Sequence, residues 1–84
     1  MGGNVQTFSG TDGGFEILDI AVTEGASIVN NTVKEVSFPE GTRIIADLTN
    51  RELVSESTEF KPDNRYLIAV ETGQMEDMRM LFQE

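Results

Sequence analysis

The chain has 84 residues, room for one small domain, and sets 6 Lys and Arg against 15 Asp and Glu for a formal charge of −9. That balance excludes a default role on nucleic-acid phosphates or anionic membrane surfaces, which need a positive footprint. With no Cys and no His, disulfides, thiolate nucleophiles, zinc fingers and Ser-His dyads are excluded as well.

Residues 1–14 carry five of the eight glycines (Gly2, Gly3, Gly10, Gly13 and Gly14) among small polar residues. Such a stretch does not repay its ordering entropy, so it reads as a flexible leader or expression remnant, with the folded domain over 15–84. No basic start or apolar segment marks a signal peptide. The first strand is predicted over 15–22, with Phe15, Ile17 and Asp19 on one face and Leu18, Ile20 and Val22 on the other. Apolar members on both faces ask for cover on both sides. Asp19 is the odd residue, a carboxylate that either points to solvent at a strand end, the preferred reading, or lines a site.

After the break at Glu24-Gly25-Ala26-Ser27, Val29, Val33 and Val36 recur at helical spacing. This predicts a helix of about two turns, capped by Asn30 or Asn31 and ended by Pro39 and Gly41. A second strand is predicted over 43–48, rich in β-branched residues, with Thr49-Asn50-Arg51-Glu52 turning the chain into a short strand over 53–55. Lys61-Pro62-Asp63-Asn64 is a further turn. The strand over 65–70 is the most apolar and is placed at the sheet centre. A last helix runs from Thr72 to Phe82 with Met75, Met78 and Phe82 on its buried side and Met80 off that stripe. The order β-α-β-β-β-α implies an α+β domain with a mixed sheet, two short helices and a crossover between the first two strands. No apolar run approaches the roughly 18 residues that cross a bilayer, so no direct membrane insertion is expected.

A domain this small buries only about 60–65% of its unfolded surface, and self-repulsion at high negative charge lowers its stability further. A homodimer that shares a core is the expected remedy. A salty interior is a second, and the presence of only two Lys (Lys34 and Lys61) fits it.

The run Ser27-Ile28-Val29-Asn30-Asn31-Thr32-Val33-Lys34-Glu35-Val36-Ser37-Phe38-Pro39-Glu40-Gly41 resembles the first helix and following turn of the TrkA C-terminal domain family, the regulatory C-lobe of RCK proteins. Ile44-Ile45-Ala46 resembles that family's next strand, and Lys61-Pro62-Asp63-Asn64-Arg65-Tyr66-Leu67-Ile68 its Glu-Pro-Gly-Asp-Arg-Leu-Leu-Val segment. Residues 75–82 resemble its last helix, so the likeness runs from Phe15 to Glu84. Asn30 stands where the family has Gly, and Asn tolerates positive φ next best. The resemblance implies a dimerising, ligand-sensing lobe of a potassium uptake or channel regulator, cytoplasmic and peripheral to a membrane transporter. It points to Asp19, Ile28, Val29, Asn30 and Asn31 as ligand or interface residues. No G-x-G-x-x-G loop occurs, so the NAD-binding lobe that precedes such domains is expected outside this chain, and no cofactor is expected within it beyond a small ligand or divalent cation.

Acidic side chains are the abundant chemistry. Glu76 and Asp77 suit the first turn of the last helix, where carboxylates complement its dipole. Glu52, Glu56 and Glu59 are candidate Ca²⁺ ligands, with solvated surface the stronger reading. An anion held at the first helix's N-terminus by Asn30, Asn31 and backbone amides is a further candidate, opposed by the chain's charge. No spacing singles out an acid–base pair, so no catalysis is expected. Two alternatives stand beside the regulatory reading: a passive assembly module of a cation antiporter or carrier, and an acidic domain that responds to divalent cations.

Overall fold

A computed structural model describes residues 5–7 and 14–83. Five antiparallel strands form one sheet: β1 (Val5–Thr7), β2 (Phe15–Ala21), β3 (Thr42–Asp47), β4 (Glu52–Leu53) and β5 (Arg65–Glu71). Their spatial order is β1-β2-β5-β3-β4. A 3-10 turn (Thr72–Gln74) leads into the single helix, α1 (Met75–Phe82). The domain is α+β.

β5 lies in the middle, as its apolar content requires. It pairs with β2 from Phe15↔Glu71 to Ala21↔Arg65 and with β3 from Thr42↔Val70 to Asp47↔Tyr66, with a bulge between Ile44 and Ala46. Because β2 and β3 both run against β5, the 22–41 segment still crosses over β5 to connect them. The sheet is nonetheless wholly antiparallel, which corrects the mixed sheet expected from sequence. The expected leader over 1–14 falls mostly outside the described residues. Its residues Val5–Thr7 do form a strand on the edge of β2, with Gln6 opposite Asp19.

One face of the sheet is closed. Leu18, Ile20, Val22, Ile44, Tyr66, Ile68 and Val70 from the sheet side meet Ala26, Ile28, Phe60, Met78 and Phe82 from the covering layer. Phe60 is the hub, edge-on to Tyr66 at 5.1 Å, Phe82 at 5.4 Å and Phe38 at 5.9 Å between ring centroids. Such edge-to-face contacts each add about 0.5–1.5 kcal/mol beyond burial. Met78 and Phe82 face this core, Met75 packs at its margin, and Met80 is 65% exposed, as the helical spacing implies. Glu76 and Asp77 occupy the first turn of α1.

The helix expected over 29–36 does not form. Its place is taken by successive turns whose amides bond three residues back, from Asn31 to Ile28 (3.0 Å), Glu35 to Thr32 (3.0 Å) and Val36 to Val33 (3.3 Å). Other amides of this stretch, which a helix would pair four residues back, bond to the 56–60 segment. Asn30 N donates to Phe60 O at 2.8 Å, Val33 N to Thr58 O at 2.9 Å and Lys34 N to Glu56 O at 3.0 Å. Asn30 takes φ 69°, a left-handed value that interrupts a right-handed helix. The cap belongs to Thr32 instead of Asn30 or Asn31. Thr32 N donates to Glu35 Oε1 at 2.8 Å and Glu35 N to Thr32 Oγ1 at 3.3 Å, a reciprocal capping box around one turn. The valines keep their inward orientation, since Val29, Val33 and Val36 still pack on the core.

Candidate functional site

Among the described residues nothing covers the second face of the sheet. Alternation along β2 and β5 puts Ile17, Leu67 and Ala69 there, half-buried by their neighbours alone, with Phe15 53% exposed at one end. Register continues the face through Ala46 of β3 to Leu53 of β4, which is 78% exposed. Near the Phe15 end a hollow of about 350 Å³ opens between Phe15, Arg43 and Ala69.

In the middle of this apolar surface sits Asp19, only 7% exposed. Arg65, diagonally across on β5, closes over it with two parallel bonds, Nε to Oδ1 at 3.0 Å and Nη2 to Oδ2 at 2.7 Å. This fork geometry satisfies both carboxylate oxygens and is what allows a charge to lie on an apolar sheet. The Arg65 guanidinium is held above its ordinary range by the hydrogen bond and the charge of Asp19. The solvent or strand-end reading of Asp19 is therefore corrected: it is a covered, mid-strand carboxylate. On this face Arg43 and Arg65 balance Asp19 and Glu71, so the surface is neutral although the whole chain carries −9.

The residues grouped from sequence do not assemble into one cleft. Ile28 is 1% exposed and belongs to the closed core, with Val29 packed against it. Asn30 and Asn31 are exposed on the covering layer, across the sheet from Asp19. Their backbone amides are engaged, Asn30 N with Phe60 O and Asn31 N with Ile28 O, while Asn31 Nδ2 donates to Ser27 O at 3.2 Å. With no helix there, the expected anion site at a helix start has no N-terminus to occupy. Glu52, Glu56 and Glu59 are all exposed, and Lys61 Nζ holds Glu59 Oε1 at 2.8 Å. Among the described residues no group of three acidic side chains is placed to hold a metal ion.

Two residues of structural weight had little signal in the sequence. Phe60 is a lone aromatic between Glu59 and Lys61, yet it is fully buried. Asp47 is 4% exposed and organises the β3-β4 turn, accepting from Asn50 N (3.0 Å), Asn50 Nδ2 (2.8 Å) and Asn64 Nδ2 (3.4 Å). The spacing Asp47-Leu48-Thr49-Asn50 is the sign that was available, an Asp side chain capping a turn three residues on. Nearby, Tyr66 Oη accepts from Lys61 N at 3.1 Å, and burial pushes the phenol above its ordinary pKa.

Compared with known proteins, the chain matches no family model and no curated sequence. Among the described residues no helix is long and apolar enough to cross a membrane.

Proposed function

We propose that this chain is a dimerising regulatory lobe of the TrkA C-terminal type, acting on the cytoplasmic side of a potassium transporter or channel. The observation that carries this reading is the open sheet face, apolar and neutral, lying opposite a core that is already closed. A second copy covers it without bringing like charges together, which no strongly acidic surface of the chain allows. β2 and β5 are each seven residues long, about 23 Å at 3.3 Å per residue. With the six residues of β3 and the two of β4 beside them, and strands about 4.8 Å apart, the footprint is about 350 Å² per copy, below the size of a standard stable interface. The dimer is accordingly weak and concentration-dependent, which suits a lobe whose pairing is to be biased. A small ligand or ion between two copies favours one relative orientation, and each copy passes that bias to a partner lobe outside this chain. Differential affinity for the two arrangements supplies about 1–3 kcal/mol of coupling.

A second reading, a passive assembly module of a cation antiporter or carrier, draws on the Asn30 and Asn31 amides being used within the chain. Calorimetry at a protein concentration that populates the dimer separates the two. Heat with a member of a nucleotide panel supports the sensing lobe, whereas Ca²⁺ heat that Glu52→Gln, Glu56→Gln and Glu59→Gln together abolish supports an acidic domain that responds to divalent cations. Silence throughout, with dimerisation intact, supports the passive module, and a strict monomer at high protein and salt concentration refutes both.

A further inference from the structure

A groove of about 630 Å³ lies between the turn at 37–40 and one side of α1. Its apolar lining is Phe38, Pro39, Leu81 and the largely exposed Met80, and its charged residues are Glu40 and Asp77. We infer that this groove docks a basic amphipathic segment of a partner protein, a site independent of the open sheet face.

Three observations lead there. The floor is preformed, because Phe38 rests edge-on against the buried Phe60 and Leu81 packs on the same core. Docking therefore costs little rearrangement. The charge is one-sided: among the described residues lining the groove there are two carboxylates, Glu40 and Asp77, and no Lys or Arg. A second copy of this acidic chain is repelled by that rim, whereas Lys and Arg flanking an apolar stripe pair with it. The groove is also broad and shallow. A small molecule seated there leaves much of its surface in water, while small-molecule sites enclose most of theirs. An amphipathic segment instead brings its own polar back to face solvent and lays its apolar side on the floor. Met80 is suited to such a contact, since its unbranched thioether adapts to differently shaped partners.

The test uses the full chain and a fluorescent amphipathic Leu/Lys helix of about 16 residues, read by anisotropy. Its controls are a scrambled peptide of equal charge and a Leu/Glu counterpart. Saturable binding is expected for the Leu/Lys helix, about tenfold weaker for the scrambled one and absent for the Leu/Glu one. Met80→Gln and the pair Glu40→Gln with Asp77→Asn each weaken it about tenfold, and the acid pair also flattens its salt dependence. Glu24→Gln with Glu56→Gln, exposed acids elsewhere, leaves it unchanged. Circular dichroism checks that the variants, all at exposed positions, keep the fold. Equal binding of the scrambled peptide, or equal loss in the distant pair, overturns the inference in favour of diffuse attraction. Full competition by spermidine assigns the groove to small cations and overturns it too. A shift of Met80→Gln toward monomer in sedimentation assigns it to a second copy. Sheet-face variants are read by oligomeric state and groove variants by peptide binding, so either site can fail alone.

Discussion

Leu67→Ala is the sharpest perturbation of the proposed dimer. Leu67 stands mid-strand in β5, the central strand, with Asp19 of β2 and Ala46 of β3 on either side. Within one copy no more than about a third of it is left in water, and a second copy removes that remainder. The substitution deletes three carbons, worth about 0.8 kcal/mol each when fully buried, so at most about 0.8 kcal/mol of association is lost per copy. A two-fold interface uses the position twice, giving about 1.5 kcal/mol per dimer and a roughly tenfold rise in Kd. The larger share of the loss falls on each folded copy, so Tm drops by a few degrees whether or not a dimer exists. Tm is therefore the wrong readout.

Sedimentation velocity over a concentration series at fixed, elevated salt is the right one, since screening relieves repulsion between two copies of charge −9. Met80→Ala, in the covering layer, serves as the control and leaves Kd unchanged. A wild-type chain that stays monomeric at the highest concentrations, or a Leu67→Ala variant that associates as tightly as wild type, refutes the argument from the open face.

Phe60→Ala removes the aromatic hub and costs about 3–5 kcal/mol, a large share of the roughly 4–12 kcal/mol available to a chain this size. Urea titration reads a collapsed midpoint, with Phe60→Leu in between. Gly41 has φ 77°, and a Cβ there lies 2.6 Å from Glu71 Cγ. Glu71 is exposed and swings aside, leaving the backbone strain, so Gly41→Ala loses about 1–2 kcal/mol by the same titration and Gly41→Asn less. Tyr66 has its pKa raised above the unfolded value of 10.0, so above pH 10 the unfolded chain sheds a proton that the native one keeps. Stability is full below pH 10 and falls as pH climbs through the native value. Tyr66 is the sole tyrosine and Trp is absent, so phenolate absorbance follows it directly, and Tyr66→Phe removes this alkaline loss.

What was legible in the sequence was local. Tyr66-Leu67-Ile68-Ala69-Val70 is a short uninterrupted apolar run after a turn, which is enough to make it a strand and to centre it. Lys61-Pro62-Asp63-Asn64 carries its own turn geometry, with Asp63 at φ 71°. Met75, Met78 and Phe82 needed only helical spacing to find the core. The helix over 29–36 failed because the spacing of Val29, Val33 and Val36 states only which side chains face inward. A chain of turns meets that demand as well as a helix does. The choice between them was made by backbone donors, and those are claimed by carbonyls of Glu56, Thr58 and Phe60, more than twenty residues downstream. No window centred on the valines contains them.

The same limit explains the site. Asp19 read as a carboxylate in need of water, because the partner that covers it lies 46 residues away and becomes a neighbour only when β5 takes its place beside β2. Once the pair is formed the meaning of the surface changes. Asp19 unpaired forbids contact with an apolar partner; paired with Arg65, it leaves a neutral sheet on which Ile17, Leu67 and Ala69 are free to be covered. The weakness of the expected dimer follows from the same geometry. Most of each of those side chains is already shielded by its own sheet, so association gains only the smaller remainder. Such a seam separates under a modest bias, and Arg65→Met, which leaves Asp19 buried without its partner, loosens both the single copy and the pair. If Arg65→Met destabilised the fold yet left self-association untouched, the ion pair would be a feature of the monomer alone, and the second copy would have to sit elsewhere.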